Sequence, residues 1–262
     1  MESYRARRVL RADRGGSSMP VLVETDAGVF YTKLRGAAQA PASLVAEIIV
    51  GALADAIGLS VPARVLIEIP AAIPVDDPHW ELAQLLRRSV GRNLGFQLLA
   101  NVSSFTPLDV ARVDADVASK TVWLDGLVQN PDRTTKNPNL LWSHDQLWLI
   151  DHGASLGFQH DWHKVTEDSP RSTGWDARRH VLHERAVRLA HFDEALSALL
   201  PRTVLESAVQ HVPDEFLLEA SSDAKLRRRA AYVAFLWKRL KTPRPFVASV
   251  RQPPETLDLG CG

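Results

Sequence analysis

The chain has 262 residues, 45% of them hydrophobic and 24% charged, enough to bury one large core or two lobes that share an interface. Lysine plus arginine equals aspartate plus glutamate at 31 each, so no overall field draws the protein to nucleic acid or to an anionic membrane. The single cysteine, Cys261, excludes an internal disulfide and a cysteine-built zinc site; with no apolar h-region near the N-terminus and no bilayer-length apolar stretch, a reducing, cytoplasmic setting is the simplest reading.

Residues 7–34 predict an antiparallel meander. Val9-Leu10 leads into Arg14-Gly15-Gly16-Ser17-Ser18, then Pro20-Val21-Leu22-Val23 passes through Asp26-Ala27-Gly28 to Val29-Phe30-Tyr31-Thr32-Lys33-Leu34. The stretch Gly15, Gly16, Ser17, Ser18 reads either as a cover whose backbone N–H groups approach phosphate or as a plain hairpin turn, since it lacks G-x-G-x-x-G. Lys33, between apolar and aromatic neighbours, is by pattern alone an exposed residue on a half-solvated strand. A helix follows from about Ala42 to Ile57, with an apolar stripe through Leu44, Ile48, Ala52 and Ala56, Gly58 as its C-cap and Pro62 as a stop. Glu47 borders that stripe, where it can reach toward the sheet or lie on the surface.

Arg64–Ile69 predicts a strand and 79–87 a helix. The apolar run from Leu94 to Ala100 is expected to cross between lobes, with Gln97, Leu98 and Leu99 at the crossing. Helical period returns from about Val110, with Val117, Thr121, Leu124 and Val128 on one face; Asp125 on that helix can orient a backbone group or Arg133, with a solvated helix end as the default reading.

The stretch from Asn130 to Gly153 carries the chemistry. Asp132 precedes Asn137 by five positions, and Asp151 closes the apolar run Leu147-Trp148-Leu149-Ile150 after a predicted hairpin. That is the order a phosphoryl-transfer site needs: a carboxylate to take a hydroxyl proton, then an amide and a carboxylate oxygen for a hard cation. Alone, D-x-x-x-x-N is weak, because Asp and Asn are common in turns. Arg133 either anchors the loop or meets transferred phosphate, and Lys136 either stabilises charge on that phosphate or, as the default reading, is a solvated loop lysine.

Residues 154–174 show little periodicity and suggest a mobile loop; His160, Asp161 and His163 lack a fourth ligand and a rigid frame, so no metal site is expected there. The remainder is helical. Val181, Leu189, Phe192, Leu196 and Leu199 form an expected buried stripe, Pro201 and Pro213 open short helices, and Ser221-Ser222-Asp223 caps a last helix with Leu226, Ala230, Val233, Leu236 and Leu240 inward. The basic run Lys225, Arg227 to Arg229 reads as a solvated face, not a nucleic-acid site. The proline-rich tail, 242–262, is expected to be disordered.

The run Asn130-x-Asp132-Arg133-x-x-x-Asn137, the following Trp148-Leu149-Ile150-Asp151-His152-Gly153, and the upstream Tyr31-Thr32-Lys33 and Ala46-Glu47-Ile48 resemble the HipA-like kinase family, in its shorter branch, across most of the chain. The resemblance implies an α+β, bilobal protein-kinase-like fold: a small N-lobe of antiparallel sheet and one helix over 1–98, and a mostly helical C-lobe over 99–241. It implies ATP and Mg²⁺, with Lys33 on the phosphates and paired to Glu47, Asp132 as base, Asn137 and Asp151 as metal ligands, and adenine against Gln97, Leu98 and Leu99. The expected acceptor is Ser or Thr of a protein. A small-molecule acceptor and a catalytically silent nucleotide-sensing module are the alternatives. The longer members partner with antitoxins through an extra N-terminal domain for which this chain is too short, so no antitoxin partner is expected. They also carry a self-phosphorylated serine where Ser17 and Ser18 stand.

Overall fold

The computed structural model describes residues 1–14, 19–38 and 41–248. The first part of the chain closes into a barrel. Strands β1 (Ser3–Ala12), β2 (Val21–Thr25), β3 (Gly28–Lys33), β4 (Arg64–Ile69) and β5 (Gly91–Gln97) are ordered β1-β2-β3-β5-β4. The β1–β4 pairing that completes the ring is parallel and the other pairings are antiparallel. Alternation sends Val21 and Val23, and Val65 and Ile67, into the barrel core, and a register shift in β1 between Ala6 and Arg8 brings Ala6 and Val9, three positions apart, to the same side. The barrel is narrow where β4 and β5 meet: a Cβ at Gly95 would stand 2.6 Å from Ile67 Cγ1. Helix α2 (Trp80–Arg88) stoppers the barrel with Leu82 and Leu86, leaving Trp80 outside.

Helix α1 (Ala42–Ala56) is inserted between β3 and β4 but does not share the barrel's core. It is buried on nearly all sides and packs into a larger apolar cluster with α3 (Ala115–Val128) and α5 (Arg202–Gln210). Only Asp55 on it is exposed, and Glu47, expected at the edge of a stripe, is fully buried. A second sheet, β6 (Val102–Ser104), β7 (Leu140–Ser143) and β8 (Gln146–Leu149), follows the barrel in antiparallel order. Its tight hairpin turns at His144 and Asp145, both with positive φ, the backbone of a two-residue turn that matches strand twist.

Three expectations change in the helical part. The helix expected from Val110 begins at Ala115, because Thr106 and Asp109 cap a separate 3₁₀ turn over Pro107–Arg112 and Asp114 caps α3, accepting from Asp116 N and Val117 N at 2.8 and 3.2 Å. Leu199 and Leu226, assigned to buried stripes, are 49% and 63% exposed: α4 (Leu189–Ala198) ends before the first, and the second lies near the start of α6 (Ser222–Arg239), beyond the reach of the core. The tail, expected disordered from 242, instead continues into α7 (Pro245–Ala248). Phe246 and Val247 are buried there, and Arg244 donates to Leu240 O at 2.9 Å and to Asp193 at 2.8 Å; residues 249–262 lie outside the described part.

The segment after Gly153, expected to be an irregular mobile loop, forms 3₁₀ turns over Gly157–His160, Trp162–Lys164 and Ser169–Arg171. Helix α6 holds it. Tyr232 Oη donates to Gln159 Oε1 at 2.7 Å, and the fully buried Arg239 donates to Pro170 O and Ser172 O at 3.0 Å.

Candidate active site

A cleft of about 330 Å³ opens where the barrel, α1 and the second sheet meet. Its walls are apolar in part, Val61, Phe96, Leu99, Leu149 and Ile150, and Gln97 and Leu98 lie along one side as the chain leaves β5. Polar groups converge at the inner end. Lys33, at the last position of β3, points in because alternation puts Phe30 and Thr32 on the core side. Its Nζ donates to Glu47 Oε1 at 2.5 Å and to Asp151 Oδ1 at 2.7 Å. Burial opposes the lysine's charge, but the two carboxylates outweigh it and hold its pKa above the ordinary value. Burial also pushes against the Asp151 charge, and the ammonium beside it prevails, so that carboxyl sits below the usual range. Full burial raises the Glu47 carboxyl against the pull of Lys33.

Asp151 occupies the left-handed region at φ 53, a conformation that costs a non-glycine residue on the order of 1–2 kcal/mol and that accumulates at functional sites. Gly153 clears the space behind it: a Cβ there would stand 3.2 Å from Ser43 Cβ and 3.5 Å from Glu47 Oε1.

Asp132 lies on the loop after α3. Asn130 Oδ1 accepts from its backbone N–H at 3.0 Å, and its Oδ2 accepts from Asn137 Nδ2 at 2.9 Å and Asn139 Nδ2 at 3.2 Å. Asp132 and Asn137 are thus in contact, as are Lys33, Glu47 and Asp151. Among the described residues, no hydrogen bond joins the two groups directly; Arg133 does so from behind. Its Nε donates to Asp125 Oδ2 at 2.6 Å, Nη1 to Asn139 O and to Ile150 O (the latter at 3.2 Å), and Nη2 to His152 Nδ1 at 3.2 Å. Asp125 accepts in addition from Asn130 Nδ2 at 3.0 Å and His180 Nε2 at 2.9 Å.

The hub fixes both histidine tautomers, and His152 Nε2 is the one hub nitrogen buried without a partner among the described residues. His180 Nδ1 accepts from Leu182 N at 3.0 Å, so its proton sits on Nε2 facing Asp125, and His152 takes the Arg133 proton on Nδ1, leaving its own on Nε2. Burial, with the Arg133 charge alongside, pushes His152 down to about 3 and keeps it neutral. Burial works against the Asp125 carboxylate, but Arg133 and His180 overcome it and hold its pKa well below the ordinary value.

The structure assigns Arg133 to loop anchoring, one of its two sequence readings, and Asp125 to the orienting of Arg133 in place of its default reading as a solvated helix end: both side chains are fully buried. Lys136 is exposed. Asn139 and His180 were not singled out by sequence, and His152 entered only as part of the motif that ends at Gly153. One signal was available for Asp125, the lone charge in Thr-Val-Trp-Leu-Asp-Gly-Leu-Val, since a charge amid a helix buried all round must have a partner. Gly15, Gly16, Ser17 and Ser18 lie outside the described residues. The chain on either side of them is closed by Asp13 N donating to Pro20 O at 2.7 Å, and Arg14 binds Asp77 at 2.7 Å.

The sequence model of the HipA-like kinases matches residues 6–244. No curated protein matches the sequence. Among solved structures, the chain is similar to a Helicobacter pylori proinflammatory kinase, CtkA, with a TM-score of 0.55, 10% identity, and coverage of 92% of this chain and 93% of that one. At that identity the likeness is one of fold.

Proposed function

Since the chain belongs to the HipA-like kinase family and is a phosphotransferase of kinase type, we propose that it moves the γ-phosphoryl group of ATP, with Mg²⁺, to a hydroxyl of Ser or Thr in a protein. The observation that carries this reading is Lys33, held between Glu47 and Asp151 at the inner end of a cleft sized for a nucleoside.

The residues present fit the cofactor. Asn137 spends its amide nitrogen on Asp132, which leaves its Oδ1 beside the Asp132 loop, and Asp151 offers carboxylate oxygen: the hard, mixed neutral and anionic donor set that Mg²⁺ takes. When bound, ATP supplies the transferable group and Mg²⁺ the charge that offsets its oxygens. Lys33 holds the phosphates by its ammonium, and Glu47 fixes that ammonium from the protein side. Asp132, oriented by the amides of Asn137 and Asn139, takes the proton from the acceptor hydroxyl. Leu98 and Leu99, with Gln97, give adenine an apolar wall where the chain leaves the barrel.

The test is single-turnover transfer from labelled ATP to protein and, separately, to a panel of metabolite hydroxyls, with the parent, Asp132→Ala and Asp151→Ala. Transfer to protein by the parent, reduced by about 10²-fold or more in each variant, is the expected result. Equal transfer by all three removes the site, and labelling of metabolites alone assigns a small-molecule acceptor instead.

A further inference from the structure

Helix α1 carries a second anchor besides Lys33. Glu47, Gly51 and Asp55 recur at every fourth position and so lie along one face. Arg64, the first residue of β4, spans the lower part of that face. Its Nη2 donates to the Asp55 carboxylate, its Nη1 donates to Pro62 O at 3.2 Å, and its side chain is 11% exposed. Between those ends the guanidinium rests on bare helix backbone: a Cβ built at Gly51 would stand 2.7 Å from Cζ, Nε and Nη1 of Arg64. Glycine in a helix interior costs about 1 kcal/mol relative to alanine, and this close approach is the physical reason the position takes it.

The strands complete the frame. Arg64 pairs with Phe96 on β5, and Lys33 pairs with Leu94 on the other edge of the same strand. The two strands that flank β5 therefore hold α1, β3 through Lys33 and Glu47, β4 through Arg64, Gly51 and Asp55. Arg64 also stands at the boundary between the nucleotide-sized cleft and a groove of about 470 Å³ on the far side of α1, beside Val204 and His211 of the helical part.

We propose that Arg64 is a positioning residue: seated on Gly51 and tied to Asp55, it fixes the height of α1 against the barrel and thereby keeps Glu47 on Lys33. Its consequence for phosphoryl transfer rests on the kinase reading above; its consequence for the Lys33–Glu47 contact does not. The planar guanidinium is what the seat requires, so lysine replaces only the tether to Asp55.

The experiment compares the parent with Gly51→Ala, Arg64→Ala, the double variant and Arg64→Lys. Two quantities are read: the rate at which acetic anhydride labels Lys33, followed by mass spectrometry, and kcat and KM for ATP. Gly51→Ala displaces the guanidinium without removing any group and improves helix propensity, so it remains informative should Arg64→Ala fail to fold. The expected result is Lys33 labelling raised about threefold or more in Gly51→Ala and in Arg64→Ala, and kcat lowered about tenfold with KM for ATP changed by less than about threefold. Arg64→Lys should recover part of kcat, and in the Arg64→Ala background the second change, Gly51→Ala, should add nothing, because the seat is already empty. Unchanged Lys33 labelling in both single variants overturns the proposal, and it does so even if the parent transfers no phosphate, an outcome that would count against the kinase reading alone. Additive effects in the double variant overturn it too, as does a raised KM with unchanged kcat, which would make Arg64 a nucleotide contact.

Discussion

Asp125 is a carboxylate with no access to water, and everything around it is arranged to keep it charged. Removing one partner of a buried pair strands the other, so Asp125→Ala should cost about 3–5 kcal/mol in unfolding free energy by urea titration, whereas replacing Asp125 and Arg133 together by Leu and Met should cost less than the sum of the single changes. The same hub sets the response to acid. The Asp125 pKa is depressed in the fold, so its contribution is present above the unfolded carboxylate value of about 3.9 and is lost as pH falls through and below it. Burial lowers His180 as well; from about pH 6.5 downward the unfolded chain takes a proton that the folded one refuses. Both effects have one sign. Stability should fall on acidification from neutrality, by up to about 1.4 kcal/mol per pH unit for each group within its own range, and a flat profile between neutrality and about pH 4 would contradict the hub. Asn139 belongs to the same scale. As second donor to Asp132, its replacement by Ala should lower kcat about tenfold and, because Asn139 holds φ 49, also cost about 1 kcal/mol of stability, whereas Asn139→Gly should lower kcat with a smaller loss.

At the scale of elements, α7 shows how a short segment can matter. Phe246 meets Trp123 edge to face at a centroid separation of 5.5 Å and covers Gly126, where a Cβ would stand 2.9 Å from the Phe246 Cβ. Phe246→Ala should destabilise by about 3–5 kcal/mol, and Gly126→Ala, which crowds the same contact, by about 1–3 kcal/mol, both read from denaturant midpoints at constant slope. Proline-rich composition at 242–248 reads as disorder because nothing nearby in sequence offers it a partner; the groove on α3 that receives Phe246 is formed by residues more than a hundred positions away. The misplaced stripes have a related cause. Leu199 and Leu226 keep helical spacing with buried leucines, but spacing says nothing about where a neighbouring element stops.

For the molecule as a whole, the described residues form two apolar clusters, one inside the barrel and one among the helices, and α1 is threaded from the first part of the chain into the second cluster. The cleft is lined by barrel strands, through Tyr31, Lys33, Arg64 and Phe96, and by α1 and the second sheet, through Glu47, Leu141 and Leu149, so a ligand held there touches both parts of the chain. MgATP should therefore raise the melting temperature, by the equivalent of about 2.7 kcal/mol at a hundred times its dissociation constant, and Asp151→Asn should erase most of the difference between MgATP and ATP alone. No shift with either would argue against nucleotide in the cleft. Among the described residues no helix is long and apolar enough to cross a membrane.

Local order along the chain was enough to find four of the five barrel strands, the helix after Lys33, and the spacing of Asp132, Asn137 and Asp151, because each depends on alternation, caps or turns within a few residues of itself; β5, read from Leu94 only as a crossing between lobes, was not found. What the folded chain alone decided is which of these side chains meet. Lys33 reaches Asp151 across 118 positions, Asp125 reaches His180 across 55, and the guanidinium of Arg64 finds bare backbone at Gly51. A buried charge is stable only where partners from distant segments close around it, and that closure depends on packing that no short window of sequence contains.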